Sequence, residues 1–316
     1  MSKINIGLCF SRDFSRNAPL KHIGVKLPVY IRLFKLCKKE GWGVYVLTRK
    51  TYIGNGVFDG CWLFDKGKFR KENHKVKIDF VYDRSGGVKF PPEGDTSFGV
   101  VNIRDFKVLC WDKYKTYKEI GRFMPKTVWV GDFKNYNNAI SQIKGKRIVL
   151  KPYNGLKGQG IFIGFKKDIN KFEYLPGRKY IAQEFVDSSG GIFGITKGMH
   201  DLRIVIVNGK VVWTHVRIPP EGSYKANAAS GGILTEINYA KVSISVKRVV
   251  ETISKDFFDK YDNPVYSLDF GIQNKKPYIY EINDQIGFPR WEMKSRDKFL
   301  SELIYSFERK IKNLRE

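Results

Sequence analysis

The sequence predicts an α+β protein with an open α/β layer at its N-terminus, and three observations carry that prediction. Short apolar runs alternate with helical segments through about the first hundred residues, the pattern of a layered α/β sheet. Further on, paired apolar runs joined by turn residues follow one another, the pattern of antiparallel hairpins. A length of 316 residues at 42% hydrophobic content suffices for two or three subdomains with a substantial core.

Residues 3 to 10, KINIGLCF, form a predicted strand, and VYIRLFKLCKKEG at 29 to 41 has helical apolar spacing with a glycine stop before the strand VYVLT. KIDFVYDRSGG and FGVVNIR read as two more short strands closed by turn residues. From about residue 105 the run DFKVLCWDKYKTYKEIGRFM predicts one helix carrying several lysines and ending near Pro125, with a strand after it. The stretch KPYNGLKGQGIFI (151 to 163), the strand YIAQEFV and the hairpin DLRIVIVNGKVVWTHVRIP follow, the last turned by Asn208-Gly209. A polar segment KANAASGG, a helix near 238 to 260 and the hairpin VYSLDFGIQNKKPYIYEIND come next. No internal repeat or low-complexity linker interrupts the order.

The formal charge of +25, from 57 Lys+Arg against 32 Asp+Glu, favours an anionic partner: a nucleotide, an acidic peptide, nucleic acid or a membrane surface. Plain composition bias toward lysine explains the same number equally well. Cys9, Cys37, Cys61 and Cys110 contain no C-x-x-C pair and have no histidine at metal spacing, which argues against a zinc site or a disulfide framework. The N-terminus MSKINIGLCFSRD lacks the apolar run of a signal peptide, and no stretch approaches the roughly 20 apolar residues of a membrane span, so a cytoplasmic protein without a membrane partner is expected.

The stretch 151 to 163 is a bare, basic, glycine-rich loop between two apolar runs, and such loops usually hold phosphate. A Walker loop needs Lys and Ser/Thr after its last glycine, where Ile161 and Phe162 stand here. A dinucleotide fingerprint needs G-x-G-x-x-G opening a helix, whereas Gly158, Gly160 and Gly164 lead into the β-rich IFIGF. Asp269-Phe270-Gly271 spells the metal-binding tripeptide of protein kinases, but no H-R-D catalytic loop accompanies it and Lys151 precedes the loop instead of following it. What remains is either an ordinary glycine-rich hairpin or a strand-flap-strand that lays backbone N–H groups over phosphates, with Lys151 adding a point charge.

The flanking pieces, DKYKTY, VLKPYNGLKGQGIFI, QEFV, DLR, VR, NAASGG and LDFG through YEIND, occur in series over roughly residues 105 to 290. In that order they resemble the ATP-grasp superfamily, in particular its ribosomal-protein-S6-glutamate-ligase-like (RimK-like) carboxylate-amine ligases. The first hundred residues, including VYDRSGG, are more distantly similar to spore-coat-associated ATP-grasp proteins. The resemblance implies three parts: a Rossmann-like pre-ATP-grasp domain at 1–104, a central subdomain with the flap at 105–182, and a C-terminal subdomain with a metal site at 183–316. It also implies that Lys113, Lys151, Gly158, Gln159, Gly160, Gln183, Glu184, Phe185 and Val186 hold ATP, with Arg203, Arg217 and Asn227 acting on the acyl phosphate and the incoming carboxylate. Ser230 replaces the arginine that usually precedes the paired glycines, and the terminal END-QIGFP lacks the family's N-x-S-P-G proline. Both departures concern the acceptor and leave the nucleotide chemistry intact.

The same residues can be read as chemistry. With a three-residue loop at Asn274 to Lys276, residue 273 pairs with 277, Asp269 falls opposite Glu281, and Asn283 points to the same face. Two facing carboxylates repel unless a cation lies between them, and an all-oxygen set suits Mg²⁺, with Mn²⁺ as the alternative; a two-residue turn would break that register. Across Asn208-Gly209, an ideal two-residue hairpin puts Arg203 and Arg217 on opposite faces, so both serve one site only if a bulge intervenes. His200 and His215 are single strand histidines, expected to be packed and not catalytic.

The sequence thus predicts an ADP-forming carbon-nitrogen ligase that uses ATP to activate a carboxylate for attack by an amine, adding an amino acid or amine to an acidic small molecule, peptide or protein. The rivals are a basic binding protein on an ATP-grasp frame and a phosphotransferase. Nucleic acid is not the expected partner, since no recognisable module for it is present. An oligomer remains open.

Overall fold

The computed structural model describes residues 3–12, 19–155, 159–224, 226 and 231–314. Three sheets organise them. The first runs β3-β4-β2-β1-β6-β7, with β5 added on β4. Its members are β1 (Asn5–Phe10), β2 (Gly43–Thr48), β3 (Tyr52–Gly54), β4 (Val57–Asp65), β5 (Lys68–Lys77), β6 (Phe80–Asp83) and β7 (Gly99–Val101). Strand β1 pairs in parallel with β2 and β6, and helix α1 (Leu27–Lys39) makes the crossover from β1 to β2, as an open α/β layer requires. The β4–β5 hairpin is antiparallel and was not legible in the sequence. Among the described residues strand β5 pairs only with β4, and most of its residues are solvated lysines and other polar groups, so its composition hides its pairing.

The second sheet has the order β10-β9-β11-β8, from β8 (Thr127–Asp132), β9 (Arg147–Pro152), β10 (Phe162–Phe165) and β11 (Lys179–Glu184), with the short helix α4 (Tyr136–Ser141) beside it. The third has the order β14-β13-β12-β15-β16. It comprises β12 (Asp201–Val207), β13 (Lys210–Ile218), β14 (Ile233–Glu236), β15 (Tyr266–Gln273) and β16 (Lys276–Asn283).

The helix expected from 105 to Pro125 is corrected to two: α2 (Arg104–Trp111) and α3 (Lys113–Ile120). Asp112 divides them because its carboxylate caps the second helix, accepting from the N–H groups of Tyr114 (3.0 Å) and Lys115 (2.9 Å). The expected helix near 238 starts instead at Ile244, as α5 (Ile244–Lys260). A last helix, α6 (Arg296–Asn313), escaped the sequence reading although Phe299, Leu303, Phe307 and Ile311 fall on one apolar face. That face returns to the first sheet, where Phe307 meets Phe80 at 5.2 Å between ring centroids, and shares a core with Val205 and Trp213 of the third sheet.

Two bulges set the register in which the charged residues of the third sheet's hairpins face one another. The β15–β16 hairpin turns on two residues, Asn274 and Lys275, both with positive φ, so the expected three-residue loop is corrected. Alone, that turn would put Asp269 out of register with Glu281. An extra residue in β16, Tyr280, shifts the ladder back by one, and Asp269 does pair with Glu281. The Tyr280 ring lies across Gly271, where an added Cβ would come within 1.7 Å of its hydroxyl oxygen, so only glycine accommodates the bulge there. In the β12–β13 hairpin, Val212 is the extra residue, and it moves Arg217 opposite Asp201, onto the same face as Arg203.

Candidate active site

With both bulges in place, His215, Arg203, Asp269 and Glu281 stand directly opposite one another across β13, β12, β15 and β16. Asp269, buried at 3% exposure, is the centre of this row. Arg203 grips it with both arms of its fork, Nε to Oδ1 at 2.6 Å and Nη2 to Oδ2 at 2.5 Å. Arg217 donates Nη2 to the same carboxylate at 2.9 Å, and Asn283 donates Nδ2 at 3.1 Å. Arg217 also pairs with Asp201, while its Nε is buried without a hydrogen-bond partner.

Burial pushes the Asp269 carboxyl up, but Arg203 and Arg217 together outweigh it and hold the group ionised, well below the usual carboxylate range. Asp201 goes the other way, raised by burial and then by the charge of Asp269. His215 is buried, and desolvation followed by the two neighbouring guanidiniums keeps it neutral. His200 is likewise packed, its Nδ1 lying 3.1 Å from the Gly198 carbonyl.

Two lysines reach this row from other elements. Lys113, the first residue of α3 and placed there by the Asp112 cap, directs its ammonium to Glu281 at 3.3 Å and to the Gly155 carbonyl at 3.1 Å. Lys151 of β9 is buried, donating to Gln183 Oε1 at 3.0 Å and to the Tyr280 carbonyl at 3.3 Å. Gln183 in turn donates to Thr127 at 2.8 Å, so it orients Lys151. Burial lowers Lys151 to about 8, with Glu281 opposing the shift and Lys113 adding to it.

These side chains line one cleft of about 320 Å³ between the second and third sheets. Lys113, Lys151, Arg203, Arg217, Asp269, Glu281 and Asn283 occupy its charged end. Glu184, Phe185 and Val186 wall the other end, where Glu184 closes β11 and the next two residues continue as an irregular connector. There Phe185 meets Tyr224 edge-on at 5.3 Å, and Arg147 lies over both rings. Gln159 is on the cleft wall, whereas Gly160 lies against Leu175 and Tyr180 outside it. Gly158 and Asn227 fall outside the described residues. Sequence reasoning missed Asp201, Tyr224 and Tyr280; only Asp201 carried a signal, an acid two residues before Arg203 and hence on the same strand face. The four cysteines are buried and unbridged. No helix among the described residues is long and apolar enough to cross a membrane.

A cleft with cations around a carboxylate row can hold a phosphorylated ligand and neutralise charge formed on it. Comparison with known proteins agrees. Residues 109–306, more than half of the chain, match the RimK-like ATP-grasp domain family. A protein named probable alpha-L-glutamate ligase, from Syntrophotalea carbinolica, is 25% identical over 237 residues, covering 69% of this chain and 74% of that one. The glutathione synthetase of Shewanella oneidensis is 34% identical over 111 residues, 35% of this chain and 34% of its own length. In fold, a RimK domain ATP-grasp protein from Sphaerobacter thermophilus superposes with a TM-score of 0.59 over 96% of this chain and 98% of that one, at 11% identity. The chain belongs to the RimK-like ATP-grasp domain family and is an ATP-dependent, ADP-forming carboxylate-amine ligase.

Proposed function

We propose that the cleft phosphorylates a substrate carboxylate with the terminal phosphoryl group of ATP and then presents the acyl phosphate to an amine, which displaces phosphate to form an amide. The observation that carries this reading is the convergence of Lys113, Arg203 and Arg217 on the carboxylate row of Asp269 and Glu281, with the Lys151 ammonium on the neighbouring Tyr280 carbonyl. In this reading the connector Glu184 to Val186 faces the adenine through its backbone, while Lys151, Lys113 and the flap residues Gly158 and Gln159 take the phosphates. Arg217 has an unused Nε and Arg203 a planar fork, which suit them to the acyl phosphate and the reacting carboxylate; Asn227 assists. No protein nucleophile enters. Rate comes from positioning and from charge neutralisation. The three-part division at 104 and 182 is the corresponding reading of the chain: one part for the acceptor, one for the flap, one for the charged row.

The residues also fit a divalent cation. Among the described residues no three carboxylate, histidine or cysteine side chains converge, but Asp269 and Glu281 face each other in register and Asn283 brings an amide to the same face. Asp269 is held ionised, and hard oxygen donors are the set that Mg²⁺ or Mn²⁺ prefers. Bound there, the cation would supply Lewis-acid charge to the nucleotide phosphates. The acceptor we propose is acidic, in keeping with the +25 net charge and with the glutamate ligase among the relatives.

The test is Lys151→Met. It removes a buried charge-assisted donor, so affinity for a non-hydrolysable ATP analogue should fall about tenfold or more while the melting temperature holds or rises. In the unsubstituted chain that affinity should weaken as pH rises through about 8, where the Lys151 ammonium is lost, and the variant should not show this step. An unchanged affinity and an unchanged pH profile would remove Lys151 from the nucleotide site.

A further inference from the structure

The β15–β16 hairpin carries Asp269, Glu281 and Asn283, and its turn closes only one of its ends. At the open end Ser267 pairs with Asn283, and Val265 and Asp284 stand just beyond the two strands. A single side chain bridges the opening. Asn102, which directly follows β7, accepts from the Val265 N–H at 2.6 Å, donates Nδ2 to the Val265 carbonyl at 2.7 Å, and donates to the Asp284 carbonyl at 3.5 Å. By exchanging both bonds with one residue's backbone, the amide takes the place of a strand neighbour. Gln285 adds a second tie, donating Nε2 to the Asp284 carboxylate at 2.9 Å and to the carbonyl of Asp83, the last residue of β6, at 3.3 Å. The Asp83 carboxylate pairs with the Lys107 ammonium of α2 and accepts from the Ser85 N–H at 2.7 Å. Asn102, Lys107 and Asp83 are 3%, 1% and 1% exposed, and neither they nor Gln285 line the cleft. Burying a lysine–aspartate pair this deeply contributes little stability, because desolvation offsets the attraction and apolar side chains of similar volume would hold as well. What a satisfied buried network supplies is direction, since it admits one arrangement of the segments it joins.

We propose that Asn102, Lys107, Asp83 and Gln285 form a clasp that locks the open end of the β15–β16 hairpin to the first sheet, and that they are positioning residues for the divalent cation of the carboxylate row. Asn283 ends β16, one peptide bond from Asp284, and its Nδ2 donates to Asp269, the carboxylate that Arg203 and Arg217 grip. With the clasp closed, the oxygen donors of Asp269, Glu281 and Asn283 keep one spacing. With it broken, the hairpin frays from its open end, as unpinned strand ends do, and the donors no longer hold a cation together. This inference rests on the ligase reading and its metal row, and adds the residues that fix that row from outside the cleft.

The test uses the full chain, the non-hydrolysable analogue AMPPNP and Mn²⁺. Calorimetry gives the AMPPNP affinity with and without Mn²⁺, and the ratio of the two is the gain the cation supplies, whatever fraction of the chain is folded. In the unsubstituted chain that gain should be about tenfold or more. Two variants open the clasp: Gln285→Leu, at a half-buried position, and the pair Asp83→Asn with Lys107→Met, which leaves no buried charge unpaired. Each should reduce the gain to about twofold or less, with metal-free AMPPNP affinity staying within about twofold because the nucleotide contacts lie elsewhere. Hydrogen exchange on the metal-free chain is the second readout. It should speed up about tenfold in the peptide from Val265 to Asp269 and stay unchanged from Gly271 to Lys276, beside the turn. A gain that survives in both variants overturns the proposal whatever the exchange shows, since the network would then be structural alone. Loss of the gain with exchange unchanged overturns it as well, because the hairpin end would not have moved. An unsubstituted chain that binds AMPPNP with no gain from Mn²⁺ would overturn the metal row, and one that does not bind AMPPNP would overturn the ligase reading, the clasp falling with either.

Discussion

Asp269→Asn should abolish ADP formation, by about a thousandfold or more, and should also destabilise the fold. The carboxylate accepts from Arg203 at 2.6 and 2.5 Å and from Arg217 at 2.9 Å, in a place almost closed to water. An amide of the same shape leaves Arg203 buried without its counter-charge and Arg217 with Asp201 alone, and breaking a buried pair in this way costs about 3–5 kcal/mol. Both readouts follow from one cause: the charge that fixes the two guanidiniums in the ground state also fixes them where the acyl phosphate forms. The check is thermal denaturation beside ADP release, with nucleotide affinity measured well below the melting transition. Intact stability with lost activity would mean that the arginines do not depend on Asp269 for their position.

Glu281→Gln separates the two effects. Glu281 is half-buried at the edge of the row, and its ion pair is with Lys113 at 3.3 Å, a partly solvated contact whose loss costs under about 1 kcal/mol. The fold should therefore persist, with a melting temperature close to that of the unsubstituted chain. ADP formation should fall about a hundredfold or more, and affinity for ATP should lose its dependence on Mg²⁺. Activity at the unsubstituted level would remove Glu281 from the metal site.

Much of this site could be read from residue order alone, because its motifs sit on strands whose alternation fixes which side chains share a face. The limits were set by single residues. The expected Asp269–Glu281 pairing holds, but through a two-residue turn and a bulge at Tyr280 in place of a three-residue loop, two changes of one residue that cancel. The opposite-face difficulty for Arg203 and Arg217 is removed by Val212. Neither bulge has a composition signal, since a bulge residue is set by what packs over it: at Tyr280 that is the bare backbone of Gly271. The break at Asp112 did have one, an aspartate at an N-cap spacing inside an otherwise helical run, and that break puts Lys113 in the cleft. Helix α6 was missed although its apolar spacing is regular.

The central claim is that a carboxylate oxygen attacks the terminal phosphorus of ATP before any amine reacts. It is tested by supplying the accepted carboxylate with both oxygens replaced by the heavy isotope, together with ATP and the amine, and analysing the released phosphate by mass spectrometry. One heavy oxygen per phosphate, in step with ADP and amide, is the expected result, since the acyl-phosphate bridge carries that oxygen away when the amine displaces it. Phosphate without the label, or ADP released with no amide formed, would contradict it.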